Sequence, residues 1–262
     1  MNFPIFQVDA FTDQMFRGNP AAVCILEEPR EDSWMLSLAQ EMNLSETAFI
    51  TPCEKGYNLR WFTPVIEVDL CGHATLASAH ILWEEGILKA GQVANFFTKS
   101  GPITARTKGD WIEMEFPEQA ATKTVAPNGL ASALGVTVDE VHYNGVDYLV
   151  PLDAAKTICE LEPDFQELKK INTRGVIVTS LADTAEYDFI SRFFAPRVGI
   201  SEDPVTGSAH CCLGPYWSER LGKKNLVGFQ ASSRGGVVRV TIEGNKVVLG
   251  GQAVTCLRGQ LQ

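Results

Sequence analysis

An α+β fold built from two copies of one unit is what this sequence predicts, on three observations. The first is a stretch that occurs twice. Arg60-Trp61-Phe62-Thr63-Pro64 leads to Glu67-Val68-Asp69-Leu70-Cys71-Gly72-His73-Ala74-Thr75, and Arg192-Phe193-Phe194-Ala195-Pro196 leads to Glu202-Asp203-Pro204-Val205-Thr206-Gly207-Ser208-Ala209-His210. In each, an aromatic strand closes at a proline, an acidic turn follows, and a glycine opens an alanine-rich apolar segment with the pattern of a buried helix. The second observation is that the repeat continues: Gly101-Pro102-Ile103-Thr104-Ala105-Arg106 follows the first helix as Gly235-Gly236-Val237-Val238-Arg239-Val240 follows the second. The third is spacing, since copies roughly 130 residues apart are whole domains rather than solenoid repeats. The domains expected are 1–117, joined by a returning segment 252–262, and 118–251.

Each element has its own local reason. Residues 3–11 alternate toward a strand, Gly18-Asn19-Pro20 forms a turn, and 21–26 has the composition of a fully buried strand. Asp32-Ser33 is a candidate cap for a helix through Trp34, Leu36, Leu38, Ala39 and Met42 that ends near Asn43. Residues 44–50 enter a strand with Glu46 at its beginning, and 57–62 is the aromatic strand of the first copy. The first central helix covers 72–84 and is stopped by Gly86. Strands follow at 92–98 and 102–107, and Lys108-Gly109-Asp110 turns into a strand over 111–116.

Residues 117–127 are polar and unpatterned, which makes them the candidate linker. A short helix over 128–134 ends at Gly135, and Thr137 is a candidate cap for another turn. Strands at 147–150 and 175–179 flank a polar helix around 164–170, and 187–194 is the second aromatic strand. The second central helix runs over 207–221 to Gly222, with Gly214-Pro215 able to kink it. Strands at 227–231, 237–242 and 246–249 follow, and 253–257 can return to the first domain as a strand.

Composition excludes several classes of function. With 45% hydrophobic and 21% charged residues the chain has the make-up of a soluble globular protein. A formal charge of −10 and a pI near 4.9 supply no basic footprint, so neither nucleic acid nor membrane is expected as a partner. Residues 1–9 lack a basic region followed by a long apolar one, and no apolar run reaches spanning length; a cytoplasmic location is expected. Seven cysteines without metal-type spacing suit reduced thiols, and the adjacent Cys211-Cys212 suit small core positions.

The chemistry expected follows from the two helix starts. The first turn of a helix leaves amide N–H groups unpaired and carries the positive end of the dipole, so Gly72-His73 and Gly207-Ser208 can together grip one carboxylate. The alternative is that both glycines serve close packing or capping. Glu46, His73 and Asp203 are the acid–base candidates; their other readings are a strand-edge carboxylate, a polar helix start and a turn or capping residue. The dipole biases His73 toward its neutral form. Ser208 holds in the second copy the position of His73, and Thr206 that of Cys71. A thiol at a helix start can act as base or nucleophile, but a threonine hydroxyl is a poor partner for it, which favours a single carboxylate base. His80 and His210 lie within helices and read as packed or capped, and no metal is expected. There is no phosphate-binding loop, Rossmann fingerprint or serine elbow.

Four ordered motifs carry a family resemblance. Arg17-Gly18-Asn19-Pro20-Ala21-Ala22-Val23, Asn43-Leu44-Ser45-Glu46-Thr47-Ala48-Phe49, Leu70-Cys71-Gly72-His73-Ala74-Thr75 and the stretch from Glu202 to His210 together resemble the PhzF family of phenazine-biosynthesis isomerase-like proteins. The similarity covers nearly the whole chain, to Gly250-Gly251-Gln252-Ala253-Val254. It implies a diaminopimelate epimerase-like fold, in which two pseudo-symmetric domains each wrap a curved sheet or barrel around a central helix and the site lies in the cleft between them. It also implies an isomerase that needs no cofactor or metal and acts on a small carboxylate-bearing molecule. Glu46 matches the family's proton-moving glutamate, while His73, Asp203 and Ser208 match residues lining that site.

The catalytic residues expected are therefore Glu46, His73, Asp203 and Ser208, and the substrate-binding ones Gly72, His73, Thr206, Gly207 and Ser208. Proline racemases and diaminopimelate epimerases carry cysteine at the positions of both Cys71 and Thr206, and this chain keeps only the first. A homodimer is expected from the resemblance. Two other readings stay open: an epimerase or racemase that uses Cys71, and a binding or regulatory protein.

Overall fold

The structure, a computed structural model, describes residues 3–262 and divides into two compact units. Unit 1 runs to Phe116 and resumes over Val248–Gln262; unit 2 is Pro117–Val247.

Unit 1 contains β1 (Phe3–Ala10), β2 (Asn19–Ile25), α1 (Asp32–Met42), β3 (Glu46–Cys53), β4 (Gly56–Phe62), β5 (Glu67–Val68), α2 (Gly72–Glu84), β6 (Ala94–Thr98), β7 (Gly101–Lys108) and β8 (Trp111–Pro117). The turn into β2 requires glycine: Gly18 is left-handed (φ 62°), and a Cβ there would fall 2.2 Å from the carbonyl oxygen of Ala10. Strand β2 pairs antiparallel with β1 and parallel with β3; β3 pairs antiparallel with β4, which runs parallel to β6. Helix α2 is buried over most of its circumference, including His73, Ala74, Thr75, Leu76, Ala77, Ser78 and Ala79. Its small side chains let β1, β2 and β3 approach closely. Helix α1 closes the other face through Met35, Leu38 and Ala39 on Phe49 and Phe62, with Phe3, Trp34, Phe49 and Phe62 in successive edge-to-face contacts.

Unit 2 contains β9 (Thr122–Lys123), α3 (Leu130–Leu134), β10 (His142–Tyr143), β11 (Asp147–Pro151), α4 (Ala155–Glu160), α5 (Phe165–Leu168), β12 (Gly175–Leu181), β13 (Phe189–Ala195), β14 (Ile200–Asp203), α6 (Gly207–Leu221), β15 (Asn225–Gln230) and β16 (Gly236–Glu243). Strand β17 (Lys246–Gly251) carries the chain into unit 1, where β18 (Ala253–Leu261) pairs antiparallel with β1. The wiring of unit 1 recurs. Strand β11 runs parallel to β12, β12 antiparallel to β13, and β13 parallel to β15, with α6 in the place of α2.

The duplication extends to single side chains. Arg60 donates from Nε and Nη2 to Glu67 at 2.7 and 2.8 Å, and its counterpart Arg192 makes the same fork to Glu202 at 2.7 and 2.9 Å. Each guanidinium also covers a ring two residues on, Phe62 at 5.2 Å and Phe194 at 4.9 Å.

Several local expectations give way. The N-cap of α1 is Glu31, and neither Asp32 nor Ser33 caps it; Asp32 instead accepts from Arg60. No helix begins at Thr137, and residues 137–141 carry no regular structure ahead of β10. The candidate linker is tied down: Glu118 N–H donates to Asn245, Gln119 N–H to Cys211 and Thr124 N–H to Val141, and β9 pairs with β10. Helix α4 (Ala155–Glu160) has no counterpart in the sequence reading, and α6 runs over Gly207–Leu221 with Pro215 inside it. Among the described residues no helix is long and apolar enough to cross a membrane.

Candidate active site

In unit 1 the site is built by the first residue of β3 and the start of α2. The parallel pairing of β2 with β3 sets Glu46 beside Ala21. Cys71 is the N-cap of α2, extended at φ −145° and ψ 114°, and its side chain makes no capping bond. Thr75 takes up the cap carbonyl instead, donating from Oγ1 to Cys71 O at 2.5 Å. Cys71 Sγ therefore lies 3.5 Å from Nδ1 of His73, while His73 Nε2 lies 3.3 Å from Oε2 of Glu46. One imidazole stands between a thiol and a carboxylate.

The electrostatics of this group are set by burial. The side chains of His73 and Glu46 are 7% and 13% exposed. Burial pushes His73 down to about 3, so the ring is neutral at physiological pH and carries one N–H and one lone pair. The sequence pointed to the helix dipole as the cause; the packing around α2 supplies a stronger one.

In unit 2 the equivalent turn is organised differently. Thr206 is the N-cap of α6, and its Oγ1 donates to Asp203 Oδ2 at 2.5 Å. His210, the counterpart of Thr75, returns its Nδ1 to the Thr206 carbonyl at 2.9 Å, so the same cap bond is kept with different chemistry. Burial holds His210 down at about 4. The Thr206 hydroxyl, already given to Asp203, is poorly placed to act as a second base. Cys211 and Cys212 are buried, which pushes both thiols up to about 12 and leaves them inert core residues.

Three further residues complete this turn, and sequence reasoning missed them. Gln230, fully buried at the end of β15, accepts from Thr206 N–H at 2.9 Å and donates from Nε2 to Asp203 O at 2.7 Å. Arg174, just before β12, donates from Nη2 to Ser208 Oγ at 3.0 Å. Asp147, also fully buried, holds Arg174 by accepting from Nε at 2.9 Å and from Nη2. The only signal was a lone arginine ahead of a strand; its partner in the parallel strand is set by register, Asp147 lying beside Gly175.

Comparison with known proteins agrees with this architecture. The description of the phenazine biosynthesis-like proteins, PhzC-PhzF, matches residues 8–259. The chain belongs to that family. It is 56% identical over 262 residues to an uncharacterized isomerase of Halalkalibacterium halodurans, with 100% of this chain and 99% of the relative covered. Among solved structures, a PhzF family protein of Enterococcus faecalis superposes with a TM-score of 0.96 at 40% identity, covering 100% of both chains. A hydroxyproline epimerase from Agrobacterium vitis shares the fold alone, with a TM-score of 0.65 at 11% identity over 99% of this chain and 92% of that one. The fold is thus the α+β, diaminopimelate epimerase-like one, and the PhzF-family chain is an isomerase.

Proposed function

We propose that this isomerase moves a proton between carbons of a small carboxylate-bearing substrate resembling an amino or hydroxy acid, with no cofactor, and that Glu46 removes the proton and returns it. The observation that carries the reading is the 3.3 Å approach of Glu46 Oε2 to a buried, neutral imidazole. A neutral His73 leaves the carboxylate its basicity, where an imidazolium would hold it ionised and weak as a base. In the transfer, a C–H proton goes to Glu46 and its electron pair stays on the substrate; the Glu46 carboxylic acid, whose proton exchanges with solvent, then protonates a different carbon.

Gly72 and His73, and in unit 2 Gly207 and Ser208, are read as helix starts whose N–H groups receive the substrate carboxylate. Asp203 accepts from a substrate amine or hydroxyl, and Thr206 shapes the turn. A homodimer in the cytoplasm belongs to the same reading, and light scattering on the purified protein checks the dimer. Proton NMR of pooled small carboxylic acids, amino acids and cyclic amino-hydroxy acids in heavy water tests the chemistry. Wild type should erase a C–H signal, and Glu46→Gln should slow that loss by roughly 10²–10⁴-fold. Full exchange by Glu46→Gln overturns the assignment.

A second reading rests on the 3.5 Å contact between Cys71 Sγ and His73 Nδ1, which makes a thiol-based epimerase or racemase chemically reasonable. Exchange lost in Cys71→Ala and kept in Glu46→Gln would select it.

A further inference from the structure

We propose that Glu46, Cys71 and His73 form a binding site for a thiophilic divalent cation of the zinc and cadmium class, and that its occupation switches the acid–base centre off. One donor atom from each residue lies within 4.8 Å of the other two. Zinc sits about 2.0–2.3 Å from nitrogen, oxygen and sulfur donors, so rotation of the Cys71 and Glu46 side chains closes this triangle on one ion. Either ring nitrogen of His73 can serve, the other keeping the ring proton. A sulfur, nitrogen and oxygen set suits zinc and cadmium and disfavours magnesium and calcium, which take oxygen.

Charge points the same way. On binding, the Cys71 thiol gives its proton to solvent, and the thiolate and carboxylate together neutralise the ion while the imidazole adds no charge. A neutral complex is the kind a desolvated site tolerates. An independent sign of a missing ligand is His73 itself. It is 5% exposed, and its buried Nε2, though 3.3 Å from Glu46 Oε2, makes no hydrogen bond of good geometry there or to any other described residue, a state packed side chains rarely keep.

Three protein ligands leave a fourth tetrahedral position for water. The sequence conceals this set because Glu46 arrives from another strand and Cys71-Gly72-His73 alone has no metal-type spacing. A bound ion occupies the carboxylate lone pair that would take a substrate proton. The switching half of the proposal therefore rests on Glu46 being the base, whereas binding of the ion does not.

The experiment titrates the full chain, stripped of metal, with cadmium chloride while following the ultraviolet thiolate-to-cadmium charge-transfer band, and with zinc chloride by calorimetry. Wild type should raise the band with one equivalent. Cys71→Ser should abolish it and weaken zinc by about tenfold or more, as should Glu46→Gln and His73→Gln for zinc, with folding checked by circular dichroism. Cys159→Ser, at an exposed thiol, should bind like wild type. No stoichiometric band in wild type, or a band that survives Cys71→Ser, overturns the site. In the heavy-water assay one equivalent of zinc should stop exchange and a chelator restore it; zinc that binds through Cys71 yet leaves exchange running overturns the switch. Absence of any exchange in metal-free wild type would sink the reading of Glu46 instead, with the cation site judged by the titration.

Discussion

Arg174 donates from Nη2 to the hydroxyl of Ser208 at 3.0 Å, and the Nε–Nη2 edge of the same guanidinium is held by the fully buried Asp147. A serine oxygen that accepts from a cation turns its own proton outward, so Ser208 is set up as a donor at the start of α6. The arrangement makes Arg174 a positioning residue for that helix start.

Arg174→Gln should destabilise the protein, because it strands the Asp147 carboxylate. Breaking a fully buried pair costs about 3–5 kcal/mol; with Arg174 38% exposed the expected loss is about 2 kcal/mol, read as a lower urea midpoint. Arg174→Lys keeps the charge but not the fork and should fall between. In the exchange assay it should raise KM more than it lowers kcat.

Gln230→Leu keeps the volume and removes the clamp on the Asp203–Thr206 turn. The Thr206 N–H and the Asp203 carbonyl lose their partner in a side chain that is 0% exposed, so the loss should be roughly 2 kcal/mol by chemical denaturation. An unchanged midpoint would show that water replaces the side chain there.

Two buried histidines make stability fall with acid. In the unfolded chain both titrate near 6.5, whereas in the fold His73 and His210 are held at about 3 and about 4. Between these limits the unfolded state binds more protons, so unfolding free energy declines below pH 6.5 by about 1.4 kcal/mol per pH unit for each histidine. The His210 share is exhausted near pH 4 and the His73 share near pH 3; above pH 7 neither contributes a slope. Denaturation curves at pH 7 and 5.5 check this, and His210→Gln, which can still donate to Thr206 O, should flatten the dependence. An equal slope in that variant would assign the effect elsewhere.

The two equivalent arginines should not be equivalent in energy. Arg192 is 11% exposed and also donates to the carbonyls of Ile158 and Leu161, capping the end of α4, whereas Arg60 is 29% exposed. Arg192→Leu should cost about 3 kcal/mol and Arg60→Leu about 1 kcal/mol, compared by urea midpoints.

What could be read from the sequence was local. The starts of α2 and α6 at Gly72 and Gly207, the end of α1 at Asn43 and the entry of Glu46 into β3 each follow from neighbours a few residues away. Local signals also misled where a tertiary partner outbid them. Asp32 had the composition of a cap but is drawn to Arg60, and the polar stretch 117–127 gives N–H bonds to the carbonyls of Asn245, Cys211 and Val141, remote from it in sequence.

The sequence by itself determined the duplication, the two buried helices and the positions of Glu46, Cys71, His73, Asp203 and Ser208, because periodicity and glycine punctuation are written within one or two turns of chain. Only the tertiary structure decided that Cys71, His73 and Glu46 form one cluster, that Thr206 gives its hydroxyl to Asp203, and that Arg174, Asp147 and Gln230 support the second helix start. Those relations depend on strand register and on desolvation by side chains remote in sequence. The same packing decides the charge on His73, because burial of an imidazole removes the water that would stabilise its cation.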